Sequence, residues 1–227
     1  MRKTYFISGI DTGIGKTLAT GLMLKHLVSR GIDAITVKLV QTGNVGRSED
    51  IEAHRRIAGG ISFPEDGEGL TAPQVFAYPA SPLLAAAREG REVDLGRIAD
   101  AVRQCEGRRE VVLVESAGGL LVPLARNVLS ADFAAARGWP LVLVTCGRLG
   151  AINHTLLSLE AAAAHRLPLA GVVYNDFPET EAPLAEDAKA AIMERLAAAG
   201  RPRAFAEIPV FDQAGPFPDI DFSEIFL

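Results

Sequence analysis

The chain has 227 residues, of which 48% are hydrophobic and 22% charged, with a formal net charge of −5. This length and apolar content fit one α/β domain, expected over 1–227, and exclude a disordered chain. No block of lysines or arginines occurs and no apolar run approaches the ~18 residues of a membrane span, so nucleic-acid and membrane partners are not expected.

The opening MRKTYFISG has too short an apolar run for a signal sequence. Cys105 and Cys146 lie far apart with no ligand pattern around them, which predicts core thiols and a reducing, cytoplasmic setting. Near-continuous apolar runs then predict strands at 3–8, 33–38, 110–115, 140–145, 169–175 and 204–209. Helical patterns fall between them at 16–30, 81–89, 94–106, 130–137, 152–166 and 181–199. Such alternation predicts an α/β fold, a doubly wound, mostly parallel sheet with helices on both faces and a P-loop start. The stretch 59–80, rich in Gly, Pro and acid, reads as an excursion.

The polar clusters GIDTGIGKT, KLVQTG, ESAGG, CGRLGAIN, YND and PVFDQ each follow an apolar strand. In an open parallel sheet the carboxyl ends of the strands share one rim, where ligands bind. The first cluster, residues 9–17, nearly spells the phosphate-binding loop G-x-x-x-x-G-K-[ST], with one extra residue. Gly13, Gly15, Lys16 and Thr17 supply backbone N–H groups, a cation for the outer phosphates and a hydroxyl for Mg²⁺ at a helix mouth. The extra residue falls on the strand-exit side and leaves GKT at the helix start.

Lys38 ends the second strand, ordinarily just a polar strand end, but on this rim it is placed to neutralise charge in phosphoryl transfer. Thr42 and Gly43 can hydrogen-bond a small substrate or form a solvated turn. Asp50 reads as a first-turn acid favoured by the helix dipole or as a metal ligand. Glu115, capping an apolar strand before SAGG, has the position of the Mg²⁺-organising acid of P-loop enzymes, where Asp is usual. Gly118 and Gly119 allow close backbone approach. CGRLGAIN opens a helix whose free N–H groups suit an anion, with Asn153 as an added donor. His26, His54, His154 and His165 show no ligand spacing and receive no role. Asn175 and Asp176 sit where P-loop proteins read the base; the Asn amide suits adenine, and N-K-x-D for guanine is missing. The nucleotide expected is ATP with Mg²⁺.

These residues together resemble the dethiobiotin synthetase family. The resemblance rests on GIDTGIGKT against G-T-D-T-x-V-G-K-T, KLVQTG against K-P-V-x-[ST]-G, VESAGGLLVPL against VEGAGG-x-x-x-PL, and LGAINHT against LG-x-INH. It implies an ATP-dependent ligase joining 7,8-diaminononanoate and CO₂ through a carbamate and its phosphorylated form, the ring closure that gives dethiobiotin. It implies Lys38 as the catalytic lysine, Lys16 on the phosphates, and Thr12 and Thr42 on the reacting diamine. Thr17, Asp50 and Glu115 would organise Mg²⁺. The remaining implied nucleotide contacts are Ile14, Leu18, Ser116, Ala117 and Gly118, with Asn175 and Asp176 at the base and Pro209, Val210 and Phe211 lining its pocket. A homodimer is implied, in which Gly150, Ala151 and Asn153 bind the substrate carboxylate of the partner's site. Three positions depart from the family pattern: Ile10 for Thr, Leu39 for Pro and Ser116 for Gly. The tail GPFPDIDFSEIFL does not match the family's last helix.

Two other readings share the P-loop start. An amidotransferase-like synthetase acting on a corrinoid side chain would carry a Cys-centred glutaminase domain, which this chain lacks. An ATP-driven partitioning or metal-delivery switch would show a second early loop lysine, a CxxC or a His-rich segment; the early loop here is Ile10, Asp11 and Thr12.

Overall fold

The computed structural model describes residues 3–176, 180–212 and 214–226. Phe177 and Pro178 of the YNDFP stretch and Gln213 of PVFDQ lie outside them. In chain order the elements are β1 (Lys3–Gly9), α1 (Lys16–Ser29), β2 (Ala34–Lys38), β3 (Gln41–Thr42), α2 (Glu49–Ile57), α3 (Pro64–Gly67), β4 (Val75–Phe76), α4 (Pro82–Arg88) and α5 (Leu95–Arg108). There follow β5 (Val111–Gly119), β6 (Pro123–Ala125), β7 (Val128–Leu129), α6 (Ser130–Ala135), β8 (Leu141–Cys146), α7 (Ala151–Ala164), β9 (Leu169–Asn175), α8 (Ala182–Ala198) and β10 (Phe205–Ile208).

The six apolar runs assemble as one sheet in the order β10-β9-β8-β1-β5-β2, with every neighbouring pair parallel. Strands covered on both faces bury alternate side chains on each, which is why AITVK in β2 is buried throughout. The chain winds outward from β1 to β2, returns through β5, and crosses β1 to β8. That reversal beside β1 is where ligands bind in doubly wound sheets. One buried hydrophobic cluster extends from Tyr5 to Ile225.

Helix and strand ends match the expectations within about two residues, with β5 running on to Gly119. A more substantial difference is α2, for which the sequence offered only a start near Asp50. Its nine residues, EDIEAHRRI, are mostly charged, so its apolar face is too thin to read. The helix is nonetheless well specified. Ser48 Oγ accepts from Ile51 N (3.2 Å) as N-cap, acids fill the first turn and His54, Arg55 and Arg56 the last. The excursion at 59–80 also contains structure: α3, and β4 paired in parallel with β3. It lies along the exit of β2 through Lys38 N→Thr71 O (2.7 Å) and Gln41 N→Gln74 O (2.9 Å).

The chain from 217 to 226 forms turns docked on the first two elements. Lys25 Nζ donates to Phe217 O (2.6 Å), Tyr5 Oη donates to Phe226 O (3.2 Å), and Phe222 is fully buried.

Candidate active site

The loop between β1 and α1 folds back over its own first glycine. A Cβ on Gly9 would lie 2.7 Å from Ile14 Cδ1 and 3.1 Å from Lys16 Cδ, so any side chain there would have to displace Ile14. Gly13 (φ 73°) and Gly15 (φ 92°) take left-handed conformations, the latter as N-cap of α1. The extra residue is thus absorbed in a wide first half, Ile10 to Thr12, while GKT enters the helix directly. Asn175, at the end of β9, is 2% exposed and fastens the loop by donating from Nδ2 to Ile14 O (3.1 Å).

The two halves of the loop face different cavities. Gly9, Ile10, Asp11 and Thr12 line one of about 450 Å³, together with Gly119 to Pro123 and, from α7, His154, Leu157, Ser158 and Ala161. Gly13, Gly15, Thr17 and Leu18 line another of about 620 Å³, with Ala53, Arg56 and Ile57 of α2, Asn175, Phe211, Gly215 and Phe217. Phe211 and Phe217 pack edge to face at 6.0 Å and form its outer wall. Phe211 is the pocket residue that the resemblance implied, whereas Phe217 belongs to the tail, whose place no sequence pattern had indicated. Pro209 and Val210 are exposed beside it, and Asp176 donates its N–H to Ile208 O (2.9 Å); none of these three lines the cavity.

A cluster of charge lies beneath the loop, at the ends of β2 and β5 and the start of α2. Lys38 Nζ bridges Asp50 Oδ2 (2.6 Å) and Glu115 Oε1 (2.7 Å) and donates to Ser116 O (3.1 Å). Thr17 Oγ1 donates to Asp50 Oδ1 (2.7 Å) and lies 3.3 Å from Glu115 Oε1. Glu115 Oε2 meets His54 Nε2 at 2.8 Å. Lys16 Nζ turns back to Asp11 O (2.7 Å).

Burial opposes charge on Lys38, but the Glu115 and Asp50 carboxylates outweigh it and hold its pKa above the ordinary lysine value. Burial likewise disfavours the Glu115 carboxylate, yet the Lys38 ammonium and the His54 ring hold it well below the usual range. Lys16 lacks so close an anion: burial pushes it down to about 8, against the more distant pull of Glu115.

Thr17, Asp50 and Glu115 offer oxygen donors only, as a hard cation requires. Among the described residues no group of three or more His, Cys, Asp and Glu side chains is poised for a metal. Mg²⁺ at phosphoryl-transfer sites takes one or two carboxylates and fills the rest from phosphates and water. The set therefore fits a metal arriving with a nucleotide, and not a free-standing metal centre.

The other expected residues fall around this core. Thr42 is half-buried on β3, past Lys38. Ala117 and Gly118 are half-buried at the end of β5, and a Cβ on Gly118 (φ 73°) would lie 3.7 Å from Thr12 Oγ1. Gly150 caps α7 in the left-handed conformation, Ala151 is buried and Asn153 exposed. The three departures have physical accounts. Ser116 is fully buried and bonded to Ser8 Oγ (3.1 Å) and Gly118 O (3.2 Å). Leu39 donates its N–H to Glu115 O (3.0 Å), a bond proline has no hydrogen to make. Ile10 lends an apolar wall to the first cavity. The residue that sequence reasoning passed over is His54. Its signal was its spacing from Asp50, four positions on and hence on the same helix face.

The model of a family described as an AAA domain matches residues 3–216. The ATP-dependent dethiobiotin synthetase BioD of Chlorobaculum tepidum is 46% identical over 206 residues, 91% of this chain and 84% of that one. A BioD 2 of Haemophilus influenzae is 45% identical over 79% of this chain and 94% of its own. Among solved structures, a ParA family ATPase from Chlorobium tepidum superposes with a TM-score of 0.56 at 13% identity, covering 94% of this chain and 87% of that one. Apo McdA from Cyanthece gives 0.54 at 15% identity over 93% and 87%. Those likenesses describe the P-loop fold; identity over most of the chain goes further, and the chain belongs to the ATP-dependent dethiobiotin synthetases, a family of ligases.

Proposed function

We propose that the protein closes the ureido ring of dethiobiotin from 7,8-diaminononanoate and CO₂ at the expense of ATP. The observation that carries this reading is that opposite halves of one phosphate loop serve two cavities, with Lys16 bonded to Asp11 of the first lining and Lys38 sharing Asp50 and Glu115 with Thr17 of the second. The cavity on the GIGKT side suits the nucleotide, with Asn175, Phe211 and Phe217 beside the base; Asp176, Pro209 and Val210 are assigned to its periphery. The largely apolar cavity on the GIDT side suits the aliphatic chain of the diamine acid.

One substrate amine attacks CO₂ and loses a proton, giving a carbamate, whose oxygen Lys38 and the hydroxyls of Thr12 and Thr42 are assigned to hold. The carbamate oxygen attacks the γ-phosphorus of ATP and ADP leaves. The second amine then attacks the carbonyl carbon, phosphate leaves, and the ring closes. Little covalent chemistry falls to the protein in such a transfer; positioning and charge stabilisation dominate. Lys16 follows the phosphates. Backbone N–H groups of Gly13, Ile14, Gly15, Thr17 and Leu18 cradle them, with Ser116, Ala117 and Gly118 closing the loop from β5. Thr17, Asp50 and Glu115 would hold Mg²⁺, which when bound neutralises charge between the outer phosphates.

The protein is proposed to be a homodimer in a reducing, cytoplasmic compartment, each chain acting as one unit over 1–227. Both cysteines are free. Leu121, Leu149 and Leu157 are at least half exposed, two of them on the wall of the diamine cavity, so a second copy would cover them. In that assembly Gly150, Ala151 and Asn153 would receive the carboxylate of a substrate bound at the partner's site. The test is phosphate release from MgATP with and without 7,8-diaminononanoate and bicarbonate. Release that needs both, with a product of dethiobiotin's mass, is expected; release with neither overturns the reaction.

A further inference from the structure

His54 lies fully buried beneath the site, and its ring joins a hydrogen-bonded chain that starts at the excursion. Arg55 is paired with Asp66 (Nη2 to Oδ1 2.7 Å, Nε to Oδ2 2.9 Å) and donates from Nη1 to Thr36 Oγ1 (2.8 Å). Thr36 Oγ1 is 3.0 Å from His54 Nδ1. The Glu115 carboxylate can only accept, so Nε2 carries a proton, while Nδ1 faces the Thr36 hydroxyl. Nε2–H in turn donates to Glu115 Oε2 (2.8 Å). The other carboxylate oxygen, Oε1, alone meets Lys38 and Thr17.

We propose that His54 is a positioning residue: by holding Oε2 it fixes the Glu115 rotamer and presents Oε1 as a single-oxygen ligand beside Thr17 and Asp50. Without it, Glu115 is free to turn both oxygens toward Lys38, which competes with the metal for them. Thr36, itself held by Arg55, serves the same end by anchoring Nδ1 and so the orientation of the ring. Partners that orient ligand side chains in this way commonly govern metal affinity. The inference rests on the assignment of Thr17, Asp50 and Glu115 to Mg²⁺.

The experiment titrates Mn²⁺, followed by electron paramagnetic resonance, into protein saturated with β,γ-imido-ATP. His54→Leu is expected to weaken Mn²⁺ by about tenfold or more, while its affinity for the metal-free analogue stays as in the parent. His54→Gln, whose amide nitrogen stands close to where Nε2 stood, is expected to restore most of the loss. Thr36→Val, which removes the hydroxyl that orients the ring, is expected to weaken Mn²⁺ as well, and it carries the test if His54→Leu does not fold. Unchanged Mn²⁺ affinity in folded His54→Leu or in Thr36→Val overturns the positioning role, as does an equal loss in His54→Gln. If the parent protein itself fails to bind Mn²⁺ with the analogue, the metal site is overturned and the positioning role with it.

Discussion

Lys38 and Lys16 stand on the same rim but in opposite electrostatic situations, and their substitutions should differ accordingly. Lys38 sits against two carboxylates. Replacing it with Ala removes the charge assigned to the transfer step and not to nucleotide capture. The expected result is a fall in kcat of about 100-fold or more, with ATP affinity retained by calorimetry; near-normal turnover would remove Lys38 from the mechanism. Lys16 instead bears the cost of burial, its pKa pushed from 10.5 down to about 8. Below pH 8 the folded protein carries that cost in full, at most about 3 kcal/mol. Between 8 and 10.5 the unfolded chain holds more protons than the folded one, so the cost fades as pH rises. Lys16→Met should therefore lose ATP binding yet melt higher than the parent at pH 7, and the gap should close toward pH 10. Melting curves across that range check it, and a gap that widens with pH would sink the account.

At the scale of elements, the site depends on how closely α1 approaches α2. A Cβ on Gly21 would meet Ile57 Cδ1 at 2.6 Å and Ile57 Cβ at 2.9 Å, so the two helices touch through a glycine. Gly21→Ala should push α2 outward, carrying Asp50 and His54 away from Thr17 and Glu115. The expected cost is about 1–3 kcal/mol in chemical denaturation, with a raised Mg²⁺ requirement for turnover. A variant that loses stability but keeps its Mg²⁺ dependence would show that α2 repacks without moving the site. This dependence also explains what the sequence left illegible. The six sheet strands announce themselves as continuous apolar runs, and the rim residues follow from where those runs end. By contrast α2 is short and charged, and β3 and β4 are two residues each, held by pairing across some 34 positions of chain. His54 became visible only when tertiary packing placed Thr36 and Glu115 on either side of its ring. Leu39 and Ser116 looked like simple exchanges in sequence, whereas their effects lie in a backbone bond and a buried hydroxyl pair.

For the whole molecule, the exposed leucines beside the cavity assigned to the diamine predict assembly. Sedimentation should give twice the 24.1 kDa chain mass. Leu157→Arg, at a position 61% exposed, should yield a monomer with a raised KM for the diamine acid and unchanged ATP affinity. A variant that stays dimeric, or a parent that sediments as a monomer, would place the interface elsewhere or remove it.

The docked segment at 217–226 has a bearing on how the protein is made. The loop assigned to phosphate is synthesised well before Phe211 and Phe217, which wall the cavity assigned to the nucleotide. Phe217 and the segment after it are held by bonds from Lys25 to Phe217 O and from Tyr5 to Phe226 O, across roughly 190 to 220 positions. Contacts so distant along the chain form late. A nascent chain thus carries its glycine-rich loop before the cavity assigned to the nucleotide is walled, and its capacity to consume ATP is expected to be deferred until residues 217–226 have clasped α1.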